Sequence, residues 1–245
     1  MSPELLPLLA VCIFVVAMLY ASVGHGGASG YLATMALFCL HPAALKPTAL
    51  VLNIVVAGVG TWLYYTAKQF SWRIFWPFAI TSIPASFIGG CFSLPSHLYR
   101  PLLGVVLVFA AWRLFVRADR KQGAFCPPRL SLAMAVGAFL GFASGLIGVG
   151  GGIFLSPIMV LFGWARVREV SGVAAMFILV NSIAGLLGHV SSLQQVPNYA
   201  PLLAVMALAG GTIGALGGSR HLPVPAILKT MAMVLVIAGG KMFLI

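Results

Sequence analysis

Two glycine-rich stretches carry the residues of this chain best suited to chemistry. The first reads Ser22-Val23-Gly24-His25-Gly26-Gly27-Ala28-Ser29-Gly30, the second Ser144-Gly145-Leu146-Ile147-Gly148-Val149-Gly150-Gly151-Gly152. Glycine lets a backbone turn sharply and lets a ligand reach main-chain N–H groups. A short apolar run follows each stretch. A half-helix starting there would offer unpaired N–H donors and a partial positive charge of roughly +0.5. Two such termini converging make a seat for a small anion, built from Gly24, Gly26 and Gly27 on one side and Gly148, Gly150, Gly151 and Gly152 on the other. Ser22, Ser29 and Ser144 would add hydroxyl donors. His25 could donate to the anion, carry a coupling proton, or sit neutral against a backbone carbonyl. Val149 takes its place in the second stretch. Tight helix packing is the competing use of these glycines.

Asn53 and Asn181 lie inside apolar helices, where an amide without partners costs a few kcal/mol. At an offset of 128 residues they read as matching positions, suited to ligand contact, hairpin support or helix–helix adhesion. Thr48 and Ser171 stand near the starts of the same two helices. Lys46 is the sole cation of residues 5–67 and either snorkels to the surface or draws anions inward.

What is missing is equally informative. The three acids, Glu4, Asp119 and Glu169, all lie outside the middles of apolar segments. Cation carriers and channels normally place carboxylates along the path, so the pattern suits an anion, with a sodium site made of carbonyls as the exception. Neither glycine stretch has phosphate-loop spacing. No nucleophile–base–acid set and no cysteine–histidine metal cluster appears among Cys12, Cys39, Cys91, Cys126 and the histidines. No catalysis, metal or cofactor is expected.

The elements that must position these groups are membrane helices. Of 245 residues, 61% are hydrophobic and 7% charged, and the mean hydropathy is +1.09. A soluble domain carries roughly 25% charged residues, so a soluble protein, a disordered chain and a nucleic-acid binder are excluded. Residues 170–219 hold no charge, enough for two spans of about 20 residues. No alternating barrel pattern appears, and the Met-Ser-Pro-Glu start lacks the basic residues of a signal peptide. Apolar segments fall at 5–22, 28–40, 45–66, 73–93, 99–116, 131–147, 152–163, 169–190, 199–218 and 223–244. Tyr64, Tyr65, Trp72, Tyr99, Trp164 and Tyr199, near segment ends, read as interfacial anchors, as do His41, His97, His189 and His221.

The two halves look alike. The glycine stretches recur at an offset of 124, which divides one transmembrane domain into repeat one (1–117), a polar linker (118–129) and repeat two (130–245). Charge placement arbitrates the topology. With eight plain crossings the cations split poorly between the sides. If 5–40 and 131–163 each fold back on themselves, Lys68, Arg73, Arg113, Arg117, Arg120, Lys121, Arg129, Arg166, Arg168, Arg220 and Lys229 share the cytoplasmic side, leaving Lys46, Arg100 and Lys241 outside. This arrangement inverts the second repeat and puts both termini outside, with the 117–129 loop cytoplasmic. The runs 28–40 and 152–163 are too short to span a core of about 30 Å. The predicted fold is therefore an all-α polytopic membrane protein of two inverted repeats. Each repeat is a Gly-tipped re-entrant or discontinuous helix pair followed by three transmembrane helices.

The run Gly141-Phe142-Ala143-Ser144-Gly145-Leu146-Ile147-Gly148-Val149-Gly150-Gly151-Gly152, then Ser156-Pro157, then Asn181-Ser182-Ile183-Ala184-Gly185-Leu186-Leu187-Gly188-His189, resembles the sulfite exporter TauE/SafE family, also grouped as toluene-sulfonate uptake permeases. The resemblance covers essentially the whole chain. The first motif departs from it slightly, with His25 in place of an apolar residue and with Lys46-Pro47-Thr48 before the second long helix. The resemblance implies secondary transport of a small sulfur-containing anion, sulfite or an organosulfonate, across the bacterial inner membrane. One repeat would rock against the other, with a proton or sodium as coupling ion. A homodimer is compatible with this reading, as is an anion channel using the same seat or a non-transporting accessory protein.

Overall fold

The computed structural model describes residues 5–38, 40, 42–92, 125–189 and 196–223, with isolated positions beyond, and every regular element among them is helical. The helices are α1 (Leu6–Ala21), α2 (Ala28–Leu37), α3 (Pro42–Thr66), α4 (Trp72–Cys91), α5 (Leu130–Ile147), α6 (Gly152–Phe162), α7 (Val167–Gly188) and α8 (Ala200–Leu216), the last running into a π-helical turn, Gly217–His221. The expected span 99–116 falls almost wholly outside the described residues, and 223–244 does so in large part. Cys39, His41, His97, Tyr99, most of the linker and both chain ends lie outside them as well.

Among the described residues, five stretches are long and apolar enough to cross a membrane: Ala44–Thr66, Trp72–Cys91, Leu130–Ile147, Val167–Gly188 and Ala200–His221. The helices α2 and α6, of 10 and 11 residues, extend only about 15–17 Å at 1.5 Å per residue. Local chemistry sets their limits. Gly148, at φ +81°, ends α5 while its N–H donates to Ser144 O at 2.8 Å. Gly151, at φ +73°, opens α6, and Gly163, at φ +66°, closes it. At the start of α7, the Glu169 carboxylate accepts the Arg166 N–H at 3.1 Å, in the first turn where negative charge is favoured.

Helix directions follow from which residues touch. The Tyr64 hydroxyl, near the end of α3, donates to Ser22 O, just past α1, at 3.0 Å. Both helices therefore arrive at one end of the molecule, and α2 must carry the chain back between them. Gly185, near the end of α7, lies against Gly145 of α5, so α5 and α7 arrive at a common end, with α6 as the return. The α3–α7 pair is antiparallel: Gly60 meets Ala175 and Asn53 meets Ser182. Each glycine stretch is thus the tip of a folded-back hairpin.

Glycines also set the closest helix pairs, at four-residue intervals. On α5, Gly137, Gly141 and Gly145 rest on the backbones of Phe78, Ser82 and Ser86 of α4. On α8 and its π-turn, Gly210, Gly214 and Gly218 rest on Phe14, Met18 and Ser22 of the α1 segment. These are small-residue seams that let backbones approach without side chains between them. In both pairs the helices run parallel. Each joins the first helix of one half to the fourth helix of the other.

Contacts between distant segments bring several of the cations together. Gln69 donates to Ser219 O, Arg168 donates to Leu222 O at 2.9 Å, and Cys126 N–H donates to Gly163 O at 3.1 Å. Lys68, Arg73, Arg129, Arg166, Arg168 and Arg220 therefore gather at one end, and Lys46 lies toward the other.

Two interfacial anchors are corrected. Tyr65 and Trp72 do point outward, at 64% and 61% exposed, but Tyr64 is fully buried because its hydroxyl serves the first hairpin. Trp164 is buried as well, packed on Phe162 and Phe78 at ring-centroid distances of 5.3 and 5.9 Å. Position along the sequence did not reveal which way either side chain faces.

Candidate functional site

The two hairpin tips meet. Every residue from Ala21 to Gly30 and from Ile147 to Pro157 is buried. A Cβ added to Gly26 or to Gly150 would strike the same two groups, the Asn53 amide on α3 and Ile178 Cγ2 on α7. The tips thus face each other across Asn53 and Ile178. Gly24, Gly27, Gly148, Gly150 and Gly151 all adopt positive φ, from +73° to +99°, a backbone state that costs a side-chain-bearing residue about 1–2 kcal/mol.

Asn53 is the latch between them. Its Oδ1 accepts the Ala28 N–H at 3.2 Å, at the first residue of α2. Its Nδ2 donates to Ser182 Oγ at 2.8 Å and reaches Val149 O, in the second tip, at 3.5 Å. Asn181 does not mirror it. The Asn181 amide donates to Ser82 Oγ on α4 at 3.1 Å and to Phe177 O at 2.8 Å, and its Oδ1 has no partner. The contacts explain the difference. Lys46 packs on Gly148 and the Ser171 backbone on Gly24, which aligns the long helices at an offset of 125, not 128. Ile178 is then the counterpart of Asn53, and Asn181 lies one turn further on, facing α4.

Of the predicted hydroxyls, three are already engaged. Ser22 Oγ donates to Leu19 O at 2.7 Å and Ser29 Oγ to Tyr20 Oη at 3.1 Å. Ser171 Oγ donates back to Val167 O within α7 at 3.3 Å. Thr48 Oγ1 and Ser144 Oγ are buried without any partner. Such groups call for a ligand or an ordered water. His25 bonds through Nε2 to Ser156 Oγ on α6 at 3.0 Å, leaving Nδ1 buried and unpaired. Lys46 does not snorkel outward: its amine donates to Leu146 O at 3.2 Å, on the last turn of α5, and its stem covers Gly148. A cation there complements the negative end of that helix.

Sequence reasoning missed Ser156, Ser182 and Tyr64 as structural partners of the tips. The available signal was a lone hydroxyl in an otherwise apolar run, at Ser156 before Pro157, and a serine beside an intramembrane asparagine, at Ser182.

Removing the latch is expected to be costly. Asn53→Ala leaves the Ala28 N–H and the Ser182 hydroxyl unpaired in the interior, at about 1–3 kcal/mol for each orphaned group. The melting temperature in detergent should fall by several degrees, while Thr212→Ala, an exposed hydroxyl bonded only to Leu208 O, should leave it within about one degree.

Two facing, buried hairpins within a set of membrane-length helices define a multi-pass helical membrane protein with polar groups held in its interior. The chain belongs to the sulfite exporter TauE/SafE family, whose sequence profile matches residues 9–242. It is 41% identical over 238 residues to the probable membrane transporter protein y4hK of Sinorhizobium fredii, covering 96% of each chain. It is 24% identical over 215 residues to the probable membrane transporter protein YunE of Bacillus subtilis, covering 80% of this chain and 78% of that one. A probable membrane transporter protein of Methanocaldococcus jannaschii is 25% identical over 199 residues, 77% of this chain and 73% of the relative. No solved structure matches. Family and relatives together mark the protein as a membrane transporter.

Proposed function

We propose that this protein is a secondary transporter that moves small sulfur-containing oxyanions, sulfite or an organosulfonate, across the bacterial cytoplasmic membrane. The observation that carries the reading is the meeting of two buried half-helix N-termini at Asn53. Among the described residues, the one acid, Glu169, lies at a helix end and is bonded to Arg166 N. An anion entering there meets N–H dipoles and hydroxyls and no fixed negative charge. The family name supplies the sulfur chemistry. The repeats are inverted, related by the antiparallel α3–α7 pair, and access alternates as the hairpins part on one side and then the other. His25, with Nδ1 free inside the first tip, is the group suited to carry a coupling proton.

Ligand-dependent thermal shifts test the substrate class. Sulfite, thiosulfate, sulfate, sulfoacetate, taurine and simple carboxylates are compared on purified protein. A true ligand at a hundred times its Kd stabilises by about 2.7 kcal/mol, a shift of several degrees. Counterflow in proteoliposomes then separates carrier from channel, because only a carrier shows trans-stimulation. A flat response to every sulfur anion would sink the proposal.

The cation-rich end is assigned to the cytoplasm by the positive-inside rule, which leaves both termini outside. A cysteine placed at Lys68 should label from the cytoplasmic face alone; labelling from outside reverses the orientation.

A further inference from the structure

The two tips face each other, but they are not equivalent as anion seats. At the first tip the N–H that opens α2 and both serine hydroxyls are taken, and the groups left without a partner are His25 Nδ1 and the Tyr31 hydroxyl. The Ala28 N–H that opens α2 is bonded to Asn53 Oδ1, which does from across the site what an N-cap asparagine does locally. Ser22 and Ser29 spend their hydroxyl protons inside their own hairpin. A further anion at this terminus would meet the partial negative charge of Oδ1.

The second tip differs on each count. Its helix α6 opens at Gly151 with no side-chain cap. Ser144 is 1% exposed, and its Oγ has no partner. Its Cβ stands 3.1 Å from where a Cβ of Gly151 would be, which places Ser144 beside the mouth of α6. The Lys46 stem lies on Gly148 of the same tip, bringing an ammonium to its edge. The Asn53 amide turns its donor end, Nδ2, toward this side and its acceptor end toward the other.

The structure assigns the anion seat to the second tip: the N–H groups of Gly151 and Ile153 with the Ser144 hydroxyl, and Lys46 as the nearby counter-charge, the Gly152 N–H being bonded to Gly150 O at 3.0 Å. Asn53 is a positioning residue that closes the first tip to anions and orients the site. This assignment rests on the transport reading above and narrows it to one half of the molecule. The favoured occupant is a small oxyanion with at least two acceptor oxygens, one for the helix N-terminus and one for the Ser144 hydroxyl.

The test measures sulfite binding by thermal shift on the wild type, Ser144→Ala and Ser29→Ala, each with its melting temperature recorded first in the absence of ligand. Both substitutions remove one hydroxyl from a buried helix and leave the backbone free to fold. Ser144→Ala is expected to weaken sulfite binding about tenfold, the loss of one hydrogen bond to a charged group. Ser29→Ala is expected to change it less than about twofold. Comparable losses in both variants overturn the single-tip assignment in favour of a shared seat. Loss in Ser29→Ala alone overturns it in favour of the first tip. Sulfite binding unaltered in Ser144→Ala overturns it outright. Absence of binding in the wild type is a different failure, since it removes the transport reading itself and this assignment with it.

Discussion

Gly150→Val is expected to abolish anion transport in reconstituted vesicles. Two independent costs converge at this position. Gly150 sits at φ +79°, a state strained for any residue with a Cβ and worst for a β-branched one. The new Cβ would also lie 2.8 Å from both Ile178 Cγ2 and Ser182 Oγ, and closer still to Asn53 Nδ2. Real carbon atoms do not approach so closely, so the Asn53 amide must swing away. When it does, Ser182 Oγ and the Ala28 N–H both lose their partner. The substitution therefore reshapes the second tip and uncaps the first in one step. Uptake or efflux of a labelled sulfonate should fall to the level of empty vesicles. Gly150→Ala, with the same φ but one branch fewer, should retain a small fraction. Wild-type rates in the valine variant would show that the tips do not form the transport site.

The second large effect concerns assembly. Gly145→Ala is expected to lower the melting temperature by about 2–12 °C, or to prevent recovery of monodisperse protein. In an ordinary helix the exchange would be favourable by about 0.5–1 kcal/mol, because alanine restricts the unfolded chain. Here the added methyl runs into the carbonyl of Ser86 and would stand 2.8 Å from Gly90 N. The obstacle is backbone, with no rotamer to change, so α4 and α5 must separate along the seam. Overpacking of this kind costs about 1–3 kcal/mol and occasionally more, and each kcal/mol is worth roughly 2–4 °C in a chain of this size. Gly58→Ala supplies the contrast: the nearest atom to its new Cβ would be Leu179 Cδ1 at 4.0 Å. That variant should melt at or above the wild-type temperature. A Gly145 variant behaving like the Gly58 variant would show that the seam has slack.

Much of this was legible in the sequence because the governing forces act over short distances. A run without charges must lie in lipid, and a glycine cluster before an apolar run too short to span must turn back. The short helix expected at 152–163 is found at Gly152–Phe162 because glycines mark both its ends. The placing of Lys68 and Arg166 at one end followed from a rule about charge and membrane side. The limits appear wherever the answer depends on a neighbour far away in sequence. Asn53 and Asn181 look alike in isolation, and only the offset of 125 set by Lys46 on Gly148 and Ser171 on Gly24 shows that they face different helices. Tyr64 reads as an anchor until Ser22 O is placed beside it. The spacing of Gly137, Gly141 and Gly145 was visible as residues, but not as a seam, since a seam needs the identity of the opposing helix.

The exchange of fourth helices between the halves carries a consequence for how such a molecule moves. If α1 travels with α8, and α5 with α4, as their backbone-to-backbone contacts require, then the mobile units are not the two sequence repeats. One unit takes α1 and α3 from the first half and α8 from the second. The other takes α5 and α7 from the second half and α4 from the first. Among the described helices, each unit therefore borrows one across the divide between the halves.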